Sequence, residues 1–184
     1  MNLGRLVGLD VCGSSAMQAS HSQRKEQAMD AFTTCLWFDS QGEEAAEFYT
    51  AIFPNSSLGK VTPYPGGTEQ AGQTMTVDFV LNGSKFVALN GGPQFSFNES
   101  ISFQVPCQNQ SEIDRYWTAL IEGGGEESMC GWLKDKFGVS WQVVPAQFEE
   151  LLWTLDSAKA ERVTQALFQM KKIVIADLEA AAAP

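Results

Sequence analysis

The sequence predicts an α+β fold in which a βαβββ module occurs twice, its strands curling around a concave cavity, with helices at the C-terminal end. Three observations predict it. An apolar stripe at helical spacing, Ala45, Phe48, Tyr49 and Ile52, recurs as Ile113, Tyr116, Trp117 and Leu120, 68 positions later. The same offset relates the strand-like starts at Thr33 and Ile101. Each stripe is preceded by one β-prone run and followed by two or three more, with glycines and Asn82-Gly83 marking turns between them.

A chain of 184 residues that is 44% hydrophobic can bury one core, so we expect a single domain with an internal duplication. Twelve basic residues against twenty-two acidic ones leave a net charge of -10, which repels phosphate backbones and anionic lipid. Nucleic acid and membrane are therefore not expected as partners. No apolar run approaches the roughly 20 residues that span a bilayer. Cys12, Cys35, Cys107 and Cys130 show no CxxC spacing, which argues against a zinc knuckle or a redox pair and fits a cytoplasmic protein. The one histidine, His21, falls before the domain, so histidine-based mechanisms are set aside.

Taken in order, residues 1–28 carry no sustained period, and Arg5 and Asp10 interrupt what a secretory signal would need as an unbroken apolar run. We read them as a non-domain tail, either upstream coding sequence or a functional arm, ahead of a domain over 29–184. Its first module covers 32–97. Thr33–Phe38 reads as a strand, and Ser40 with Glu43 as a capping box for the first helix, which Pro54 stops. Leu58–Tyr64, Gln73–Leu81 and Ser84–Asn90 read as strands, the last two joined at Asn82-Gly83.

The second module covers 98–145. Ile101–Val105 reads as its first strand, Asn109 with Glu112 as a capping box, and Glu126–Leu133 and Val139–Val144 as its later strands. The hairpin from Cys130 to Pro145, turning at Gly138, alternates Val139, Trp141 and Val143 with Ser140, Gln142 and Val144. Over 146–184 the chain turns helical. Phe148, Leu151, Leu152 and Leu155 share one face, and Asp156 caps a further helix bearing Val163, Leu167 and Met170. These helices are expected to cover an exposed sheet face or a partner subunit.

A duplicated βαβββ unit whose second copy runs through Asp135-Lys136-Phe137-Gly138-Val139-Ser140-Trp141-Gln142 resembles the vicinal oxygen chelate superfamily of glyoxalases, bleomycin resistance proteins and extradiol dioxygenases. Within it the chain is most similar to the PhnB-like, or demethylubiquinone methyltransferase-like, group. Further residues carrying the resemblance are Cys35-Leu36-Trp37-Phe38-Asp39, Glu43 to Tyr49, Ala88-Leu89-Asn90-Gly91-Gly92-Pro93 and Phe97 to Gln104. The resemblance implies paired modules around a cavity, often as a homodimer. It also places the superfamily's metal ligands near Thr34, at Ser102, near Ala88 or Asn90, and at Gln142. None of these is a histidine or a carboxylate. Neutral oxygens hold a transition metal poorly against water, so neither a metal nor another cofactor is expected.

Alternation by itself assigns Val87, Leu89, Phe103, Val105, Trp141 and Val143 to helix packing. The expected cavity lining is Thr34, Leu36, Phe86, Asn90, Ser102, Gln104 and Gln142, with Trp132 at the mouth. Apolar walls with a few hydrogen-bonding groups are what a small-molecule site needs, and no base, acid or nucleophile is evident among them. Asn90 is equally a turn residue before Gly91-Gly92-Pro93, and Trp132 and Phe137 could gate the mouth, although aromatic residues more often serve packing. Asp78 can reach the edge of the cavity. Binding of a small molecule is thus the leading expectation. An enzyme acting on a small substrate in the same cavity is the alternative, whether lyase, dioxygenase or methyltransferase. No G-x-G-x-x-G follows a strand, which weighs against an S-adenosylmethionine fold.

Overall fold

The computed structural model describes residues 31–148 and 156–183, and from Phe32 onward they form one compact unit. The tail over 1–28, with Cys12 and His21, and the helix expected through Leu151, Leu152 and Leu155 lie outside the described residues. The first module is β1 (Thr34–Phe38), α1 (Gly42–Ile52), β2 (Ser57–Pro63), β3 (Thr74–Leu81) and β4 (Ser84–Asn90). The second is β5 (Phe103–Cys107), α2 (Gln110–Ile121), β6 (Glu126–Glu127), β7 (Trp132–Lys134) and β8 (Ser140–Pro145), followed by α3 (Ser157–Leu167) and α4 (Ile175–Ala182).

The duplication is visible in the sheets. One has the order β1-β4-β3-β2 and the other β5-β8-β7-β6. In each the first strand runs parallel to the fourth and the remaining pairs are antiparallel. The α+β architecture of two repeated modules is therefore as the sequence implies. The expected strand Ile101–Val105 begins later, at Phe103, and Ile101 is exposed. The expected strand Glu126–Leu133 divides into β6 and β7, because Cys130 and Gly131 adopt positive φ between them.

Helix starts differ between the modules for identifiable reasons. The Ser40/Glu43 box does not form: Gln41 is the N-cap of α1 and offers no side-chain cap. Instead Asn90, at the end of β4, accepts the Gly42 N–H at 2.7 Å, and Glu43 accepts the Thr74 hydroxyl at 2.8 Å. α2 is capped from its own sequence, since Asn109 accepts the Glu112 N–H and the Glu112 carboxylate accepts the Gln108 N–H. Asp156 caps α3 through the Lys159 N–H, as expected.

Both helix stripes are in the core. Ala45, Tyr49, Ile113, Trp117 and Leu120 join inward residues of both sheets in one apolar cluster. A second cluster joins Val144 of β8 to Val163, Leu167, Ile173 and Leu178. The C-terminal helices thus cover the Val144 end of the outer face of the second sheet. The segment before α4 is tied to the same region, its Met170 and Lys171 carbonyls accepting the N–H groups of Cys130 and Gly131.

Candidate functional site

Strand alternation leaves one face of each sheet away from the helices. In the first sheet Leu36, Phe38, Phe86 and Ala88 are buried in the cluster that contains Ala45, Ala46 and Tyr49 of α1. Their neighbours Cys35, Trp37, Val87 and Leu89 fall on the opposite face, with Asp78 of β3 in register with Val87. In the second sheet Val105, Leu133, Trp141 and Val143 are in the core. Gln104, Gln142 and Trp132 then form one row across β5, β8 and β7 on the outer face.

The row is linked by side chains. Gln142 Nε2 donates to Ser102 Oγ at 2.8 Å, and Gln104 Nε2 approaches Gln142 Oε1 at 3.5 Å. Ser102, Gln104, Trp132 and Gln142 are therefore brought together as the sequence reading grouped them. The other four expected lining residues are placed elsewhere. Leu36 and Phe86 are buried toward α1. Thr34 is exposed at the start of β1, beside a cleft of about 300 Å³. Asn90 is 9% exposed and has both ends of its amide engaged, Oδ1 by the Gly42 N–H and Nδ2 by the Thr74 carbonyl. Its role here is to start a helix.

The division has a simple cause. The helices repeat at 68 positions, but the linker from β1 to α1 is Asp39 to Gln41, whereas that from β5 to α2 is only Gln108 and Asn109. The strands therefore repeat with one extra position: Thr34, paired with Phe86, corresponds to Phe103, paired with Trp141. A shift of one residue exchanges the two faces of a strand. The counterparts of Gln104 and Gln142 are Cys35 and Val87, so Thr34 does not correspond to Ser102, nor Ala88 or Asn90 to Gln142.

This register also tests a metal. The first- and fourth-strand positions on the outer face are Cys35, Val87, Gln104 and Gln142, one thiol, one hydrocarbon and two neutral amides. That donor set does not fit a divalent ion, and no group of three or more His, Cys, Asp or Glu among the described residues is arranged to hold one. What the row offers is neutral hydrogen bonding, with donors and acceptors on each amide. Burial pushes the Cys35 thiol above its usual range, which disfavours the thiolate a nucleophile would need.

The sequence reading missed the most heavily engaged polar group. Asp135, 3% exposed, accepts the Tyr49 hydroxyl at 2.7 Å, the Trp141 indole N–H at 2.8 Å, and the Phe137 and Val139 N–H groups at 2.9 and 3.1 Å. Burial pushes its carboxyl up, against the pull of those donors. The Tyr49 hydroxyl is also raised well above its usual value, by burial first and then by the Asp135 carboxylate. The available signal was local: an aspartate two and four residues before the turn N–H groups that it accepts, with Gly138 between them. Phe137 packs on Phe38, Phe48 and Tyr49, which makes it part of the core edge rather than a gate.

A family model described as 3-demethylubiquinone-9 3-methyltransferase matches residues 30–144. Among solved structures, a PhnB protein from Bacillus cereus is 32% identical, with a TM-score of 0.58 over 64% of this chain and 100% of that one. Protein PA1353 from Pseudomonas aeruginosa is 21% identical, with a TM-score of 0.51 over 61% of this chain and 95% of that one. FosX, a genomically encoded fosfomycin resistance protein from Listeria monocytogenes, aligns at 16% identity and a TM-score of 0.48, over 68% of this chain and 98% of that one. No curated protein matches.

Proposed function

We propose, from the premise that this chain belongs to the 3-demethylubiquinone-9 3-methyltransferase family of PhnB-like, vicinal oxygen chelate-type proteins, that it is a metal-free homodimer binding a small, largely apolar molecule. The observation that carries this reading is the row of Ser102, Gln142 and Gln104 beside Trp132 on the outer face of the second sheet. These amides do not serve the core. They lie where a ligand can exchange water for directed hydrogen bonds, while half-buried Trp132 supplies an apolar surface. Half-exposed Trp37, Val87 and Leu89 make the outer face of the first sheet apolar, a surface that a second copy of the chain would help close.

The name of the family raises methyl transfer. Support for that reading is lacking in the chain: its sequence holds no glycine-rich G-x-G-x-x-G, and among the described residues each sheet has one parallel strand pair. A catalytic alternative rests on Asp78, in register with Val87 and facing the same way as Cys35. Asp78→Asn separates the two, because it would abolish turnover in an enzyme and leave binding by the amide row unchanged. Binding itself is tested by screening neutral small molecules for a rise in Tm. Hits that stabilise the native chain and lose that effect in Gln142→Ala support the proposal. Hits that stabilise both proteins equally refute it.

A further inference from the structure

A separate cleft of about 240 Å³ opens along the free edge of β5, where the two modules meet. Five rings wall it: Phe53 just past α1, Phe86, Phe103, Tyr116 and Trp141. Phe53 lies nearly parallel to Tyr116, at 5.3 Å and 21°, and to Trp141, at 5.2 Å and 26°. Phe86 and Phe103 meet edge to face at 5.4 Å. The rings come from both modules, so the cleft is a product of their packing.

Its chemistry is specific. Among the described residues none that lines it is charged, although the Arg115 guanidinium lies 4.4 Å over the Tyr116 ring, and the exposed residues Asn82, Ser84 and Gln104 stand at its mouth. Its volume exceeds the roughly 150 Å³ of a cavity that holds benzene, which suits one substituted ring or two fused rings. Tyr116 is 7% exposed, and its hydroxyl makes no hydrogen bond to a described residue. Yet among the described residues no fully buried side-chain nitrogen or oxygen lacks a partner. Tyr116 itself lines this cleft.

We propose that the cleft is a binding site for a neutral, planar aromatic molecule carrying a hydroxyl group, a phenol, with the Tyr116 hydroxyl as its polar contact. Flat ligands gain from stacking on aromatic rings, while a described lining without an acid gives an amine no partner for the hydration it would lose. This site shares Gln104 with the amide row at its mouth but is built on its rings, and Gln142 is not among its lining residues. It is tested by following the backbone amides of the full chain by NMR while titrating with p-cresol and, separately, with toluene.

Both probes should give saturable shifts centred on Ser84, Phe103 and Tyr116. Tyr116→Phe should weaken p-cresol by about five- to tenfold, the scale of one hydrogen bond, and leave toluene unchanged. Ser84→Trp, at the mouth, should block both probes, and Gln142→Ala should affect neither. Absence of saturable shifts, shifts centred on Gln142, or equal weakening of both probes by Tyr116→Phe would overturn the proposal.

Discussion

Tyr49 and Asp135 stand 86 positions apart in the sequence, and the tyrosine hydroxyl donates to the carboxylate at 2.7 Å. The bond joins α1 of the first module to the β7–β8 turn of the second, and the Trp141 indole N–H completes the junction from β8. Tyr49→Phe removes one donor but leaves Asp135 three others, so unfolding in urea should show a loss of about 1–2 kcal/mol. Asp135→Ala strands the buried Tyr49 and Trp141 donors together and should cost about 3 kcal/mol or more. Equal losses in the two variants would mean that the carboxylate does not hold the modules together.

The same carboxylate gives stability a pH dependence of definite sign. Burial raises Asp135 above the ordinary 3.8, so the folded chain holds this proton more tightly than the unfolded chain does. Its contribution is complete below 3.8 and is lost as pH rises through the folded value. Asp114, Glu127 and Glu99 are held low by hydrogen bonds from Lys172, Trp117 and Lys134, and their contributions have the opposite sign. They are common to both proteins when the native chain is compared with Asp135→Asn. The difference in unfolding free energy between the two should shrink as pH rises from 3.8. A difference that grows would contradict the burial argument.

Gly91 has no room for a methyl group. A Cβ there would lie 2.3 Å from the Trp37 ring, whose indole N–H is held by the Gly92 carbonyl at 2.9 Å and whose edge meets Phe95 at 5.1 Å. Gly91→Ala should cost about 3 kcal/mol and shift the tryptophan fluorescence as Trp37 is displaced. A neutral substitution would show that the loop over 91–102 yields without strain.

Thiol reactivity should follow burial. Cys107 is fully buried and its thiol is pushed up to about 11, by burial first, whereas Cys35, whose thiol is also raised, is exposed. Iodoacetamide at mildly alkaline pH, read by peptide mass spectrometry, should modify Cys35 in the native chain and reach Cys107 only in denaturant. Equal native rates would place Cys107 outside the core.

Much of the fold was legible because the helix stripes are strong: Ile113, Tyr116, Trp117 and Leu120 are buried as their spacing implies. The faces of the strands were less legible. Period-two patterns locate a strand well, but which face turns inward depends on register, and one residue fewer between β5 and α2 was enough to reverse the assignment of Leu36 and Phe86. Asn90 illustrates a second limit. Its cap on α1 joins residues 48 positions apart, so no local pattern reveals it, and the local Ser40/Glu43 signal pointed elsewhere. Gln142, Gln104 and Ser102 were legible because polar residues alternating with Trp141 and Val143 leave few other places for them.

The most direct test of the central claim is a native mass spectrum of the protein purified without chelators, recorded beside Gln142→Ala and beside the denatured mass. A neutral organic mass carried by a dimer of the native chain, and lost in the variant, is the predicted result. A divalent-ion mass on the native chain, or the same organic mass on both proteins, would contradict the claim that the neutral amide row binds a small molecule without metal.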